Sequence, residues 1–92
     1  MQEIYLVIEK EFNIITPLWA YLKKEDALAE CERLAKEKYA QKIEISQSIK
    51  DNYEVGEYSD FEKNEGFALF SMVGKKRNKA EIYFCAMKIK LQ

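Results

Sequence analysis

The pattern of apolar and polar positions divides the chain into a few well-marked elements. In residues 3–10, Ile4, Leu6 and Ile8 alternate with Tyr5 and Val7, so the segment is strand-forming and apolar on both faces at its centre. This predicts a central strand covered on at least one side. A polar break over residues 9–13 precedes a second apolar run, residues 14–22. Pro17 lies inside that run and cannot donate a ladder hydrogen bond, which predicts an edge strand or a bulge. The two runs read together as a hairpin. Strict alternation would put Pro17, Trp19 and Tyr21 on one face of the second strand and Leu18, Ala20 and Leu22 on the other. The second set is the more uniformly aliphatic, which suits an outward Trp19 as an interface anchor; the alternative turns Trp19 inward to cap the core under the helix.

Residues 24–40 carry the helical period. Ala27, Leu28, Cys31, Leu34, Ala35 and Tyr39 fall on one stripe of a 3.6-residue helix, and the positions between them are Glu, Lys and Arg. Glu25 and Asp26 suit the positive end of the helix dipole, and Lys36 and Lys38 suit its far end. Neither position 23 nor 24 is Ser, Thr, Asp or Asn, so the N-cap is weak.

Beyond residue 40 the periodicity fades. Ile43, Ile45 and Ile49 fit either a short strand or a further helical turn. Residues 51–66 are punctuated by Gly56 and Gly66 and read as loop, with a short strand over 53–55. Residues 67–73 and 80–91 read as strands joined by a basic hairpin loop, 74–79. In the last strand Tyr83, Cys85, Met87, Ile89 and Leu91 share one face, while the other starts with Ile82 and Phe84 and ends with Lys88 and Lys90. The expected fold is α+β in the order β-β-α-β-β: an antiparallel sheet of about four strands with one amphipathic helix packed on one face. A chain of 92 residues is expected to form a single domain, residues 1–92.

Composition narrows the chemistry. The chain contains no histidine, which removes the commonest general base and metal ligand. Ser-His-Asp and Cys-His nucleophile systems are therefore excluded. The two cysteines, Cys31 and Cys85, are too few for an ordinary structural zinc site and are expected to be core thiols. The three glycines are scattered, so no phosphate-cradling loop is present. These features predict a protein that is not an enzyme, with no metal and no cofactor. The opening segment lacks a basic stretch and a long apolar run, so a cytoplasmic protein with no membrane contact is expected.

The net charge of -1 hides a segregation. Residues 51–66 hold six acids against one lysine, and residues 74–92 hold six bases against one acid. In the first stretch Asp51, Glu54, Glu57, Asp60 and Glu62 are interleaved with Tyr53, Tyr58 and Phe61. Carboxylates with aromatic anchors suit docking onto a basic protein surface. The plainer reading turns the aromatics into the core and leaves the acids solvated. Trp19 is a further candidate anchor. The alternative site is the hairpin bearing Lys75, Lys76, Arg77 and Lys79, which suits phosphate contact with a nucleic acid or nucleotide, or simple edge protection. Self-association through the edge strand is also open.

Residues 4–37 resemble a pattern common in small proteins encoded by bacteriophages and other mobile elements. Its pieces here are the strand Ile4-Tyr5-Leu6-Val7, the polar turn 9–13, the aromatic strand end Trp19-Ala20-Tyr21 and the helix opening Asp26-Ala27. The chain departs from the pattern in its weak N-cap and in the long segment 42–66. The resemblance implies a phage-type accessory protein, such as an anti-defence inhibitor or modulator that works by binding a host protein.

Overall fold

The computed structural model describes residues 2–60, 64–71 and 79–91. The first strand, β1 (Gln2–Glu11), turns at Phe12-Asn13 into β2 (Ile14–Tyr21). The helix α1 (Lys24–Ile45) and the short α2 (Gln47–Asn52) follow, and then three strands, β3 (Tyr53–Asp60), β4 (Asn64–Ser71) and β5 (Lys79–Leu91). All strands belong to one antiparallel sheet in the order β2-β1-β5-β4-β3. The α+β class matches the expectation, but among the described residues the sheet has five strands rather than about four.

The additional strand is β3, from the segment expected to be mostly loop. Its glycine and acids give it little strand propensity of its own. Pairing over its whole length with β4, from Tyr53 opposite Ser71 to Asp60 opposite Asn64, makes it a strand. The helix also runs past the expected residue 40, because the half-buried stripe continues from Tyr39 to Lys42 and Ile43. The segment after it resolves as a second helix: Ser46 is extended, donates its backbone N–H to the Lys42 carbonyl and starts α2. The weak N-cap holds, since Lys23 makes no side-chain capping bond.

The core lies between α1 and one face of the sheet. Ala27, Cys31 and Ala35 form the buried stripe of the helix and pack with Val7, Leu69, Ile82, Phe84 and Ala86. Three small residues on the helix let its axis approach closely, and the sheet supplies the larger side chains that fill the space. Because Phe84 and Ala86 point at the helix, Cys85 between them points to the opposite face. There the cross-strand pairs Ile4–Ile89, Leu6–Met87 and Ile8–Cys85 make a second apolar stripe, with Ile8 and Cys85 buried. Both cysteines are therefore core thiols, on opposite sides of the sheet.

Gly66 lies in β4 opposite Cys85, hard against the β5 backbone. A β-carbon there would lie 2.6 Å from the Cα of Cys85 and press on the Phe84 carbonyl oxygen. Glycine at this position is a requirement of the sheet.

Candidate functional site

The residues singled out in the sequence do not form one surface. Trp19 lies on β2 and the acidic segment on β3, at opposite edges of the sheet. Four inter-strand gaps separate them, about 19 Å. Asp51 in α2 and Glu54 and Glu57 in β3 are exposed along the far edge. Tyr53 is turned inward, packs against the core and donates its hydroxyl hydrogen bond to Glu81 Oε2 at 2.9 Å. The side chains of Tyr58 and Asp60, and the whole of Phe61 and Glu62, lie outside the described residues. So do Lys75, Lys76 and Arg77 and the side chain of Lys79.

The β2 edge has a different character. Its eight residues, Ile14 to Tyr21, include no charged side chain. Ile14 and Ile15 are 69% and 57% exposed, Trp19 is 61% exposed, and Leu22 just after the strand is also exposed. At the hairpin tip Phe12 is 73% exposed. Its φ of 57° lies in the left-handed region that bulky residues avoid. Five large apolar side chains on one hairpin and its exit are thus left in water, and one of them also strains the backbone.

The alternation expected for β2 fails in the middle, for a local reason. Val7 pairs with Trp19 and Ile8 with Pro17, which leaves Leu18 as an extra residue in a bulge. Pro17 thus marks both an edge strand and a bulge. Leu18 turns to the core with Tyr21, and of the two orientations open to Trp19 the exposed one is found. Trp19 and Tyr21 stay on one face, opposite Val7 and Tyr5, and α1 holds Tyr21 inward: its hydroxyl donates to Glu30 Oε2 at 2.8 Å. Glu30 also accepts from Arg33 Nε, and Arg33 bonds Glu37 at 2.8 Å. The Arg33 bond, then the Tyr21 bond, hold the Glu30 carboxyl below the ordinary carboxylate range. The same bond to Glu30 raises the Tyr21 phenol above its ordinary value. This network fastens the end of β2 to the helix and holds the exposed edge in place.

Other candidate chemistry is modest. A cleft of about 180 Å³ opens between α1 and the sheet, floored by Leu18, Leu34 and Phe84 and rimmed by the Glu9–Lys38 ion pair at 3.2 Å. It is smaller than the sites that enclose organic ligands. Burial pushes the Cys31 thiol up to about 12, which keeps it protonated and unreactive at neutral pH. Among the described residues, no three Cys, Asp or Glu side chains are grouped so as to hold a metal ion, and no helix is long and apolar enough to cross a membrane.

The fold and the edge together define a small antiparallel α+β protein with an open apolar strand. No protein-family model, curated protein or solved structure matches the chain.

Proposed function

We propose that the chain is a non-enzymatic binding protein that docks on a protein partner through the β2 edge and the hairpin tip. The observation that carries this reading is Phe12. An exposed aromatic in a left-handed conformation costs the folded chain on the order of 1–2 kcal/mol of backbone strain and recovers almost no burial. A partner that covers the tip supplies the missing burial. Trp19, Ile14 and Ile15 on the adjoining strand provide the aromatic and aliphatic anchors that concentrate binding energy at protein interfaces. An inhibitor or modulator of a host protein is the specific form of this reading, supported by the resemblance of residues 4–37 to phage-type proteins. Asp51, Glu54 and Glu57 enter it as a separate acidic strip on the far edge.

The test separates binding from stability. Phe12→Gly removes the strain with little loss of burial, so it is expected to raise the free energy of unfolding by about 1 kcal/mol. Captured protein should nevertheless fall when Phe12→Gly or Trp19→Lys is used as immobilised bait. Capture that survives both substitutions but is lost on reversing Glu54 and Glu57 would move the surface to β3.

A further inference from the structure

We infer that the occupant of the β2 edge is a second copy of this chain, joined by two-fold antiparallel pairing of β2 with β2. The inference rests on the reading of β2 as a docking edge and names its partner. An open edge selects an extended, uncharged, apolar strand, because main-chain pairing gives the affinity and alternate side chains meet across the join. The chain itself exposes such a strand. Ile14 to Tyr21 carries none of the charged residues with which monomeric proteins guard their edges, and its devices are one proline and one bulge. The other edge, β3, holds Glu54, Glu57 and Asp60, so self-pairing there would bring like charges together.

Charge at the two ends of β2 sets the direction. The hairpin end carries Glu11, and the helix end carries the exposed Lys23. Antiparallel pairing about an axis between Pro17 and Leu18 brings Lys23 of each copy beside the tip and Glu11 of the other. Parallel pairing would set Lys23 beside Lys23. In the antiparallel register Ile14 meets Tyr21, Ile15 meets Ala20 and Thr16 meets Trp19 across the two-fold. The contact is isologous and closes at two copies. A net charge of -1 opposes it only weakly.

Light scattering on the full chain during size-exclusion chromatography tests the proposal. The expected species has twice the 10.9 kDa chain mass and dissociates on dilution. Ile15→Lys and Trp19→Lys alter exposed side chains, and each should halve the mass while the far-ultraviolet circular dichroism stays unchanged. A wild-type chain monomeric at every concentration overturns the inference. So does a dimer that survives both substitutions, which would point to the Ile4–Ile89 stripe instead. Bait capture keeps the two levels apart. A monomer that captures a foreign protein in a Trp19-dependent way loses only the second copy as occupant. If neither a dimer nor Trp19-dependent capture is found, the docking edge itself fails.

Discussion

At Gly66 a single hydrogen atom decides whether two strands can meet. An alanine methyl would stand 2.6 Å from the Cys85 Cα and 2.8 Å from the Phe84 carbonyl carbon, with no flexible side chain able to yield. Gly66→Ala is expected to cost about 1–3 kcal/mol, as overpacking does. Urea unfolding measures it, and an unchanged midpoint would contradict the close approach. Phe12 is the opposite case, a residue whose backbone the fold accommodates at a cost. The sequence marks neither position. Gly66 looked like loop punctuation, and Phe12 like part of a polar turn, because strain and close approach depend on atoms distant in the chain.

Among the elements, β2 is an edge strand with no partner on its outer side among the described residues. Its end is tied to α1 by the chain of bonds from Tyr21 through Glu30 and Arg33 to Glu37. The lowered Glu30 carboxyl gives this tie a pH dependence. A group whose folded pKa is depressed contributes stability that is fully present above its unfolded pKa, and loses it as pH falls through the folded value. Acidification from neutrality to below the carboxylate range should therefore lower the melting temperature of the wild type more than that of Glu30→Gln. Equal losses would show that the Arg33 and Tyr21 bonds add nothing. The α1 stripe from Ala27 to Ala35 was legible from its spacing alone, since a helix whose apolar residues face one way needs no partner to reveal its period. The strand β3 was not legible, because its conformation comes from β4 beside it.

For the whole molecule, the two edges of the sheet differ in kind. One is acidic in its exposed residues and the other is uncharged and apolar, so a pairing that joins two copies at β2 leaves an acidic edge at either end. Such a dimer ties folding to concentration by mass action. Thermal unfolding of the wild type should move upward as the chain is concentrated, and the same scan of Trp19→Lys should stay put. A wild-type melting temperature independent of concentration would count against self-pairing. The segregated charge was readable from the sequence, and so was Trp19 as a candidate anchor, though not which way it faces. The separation of the two by the full width of the sheet was not, because sequence distance says nothing about strand order.

The sequence by itself determined the α+β class, the opening hairpin with its proline-marked edge, the helical stripe and the exclusion of histidine chemistry. Each of these follows from local period, backbone restriction or residue type. Only the tertiary structure decided that residues 53–60 pair as a fifth strand, that Tyr53 turns inward, and that the bulge at Leu18 parts Pro17 from the face shared by Trp19 and Tyr21. Those outcomes depend on which strand lies beside which. That order is set by how the sheet and helix bury their apolar faces together.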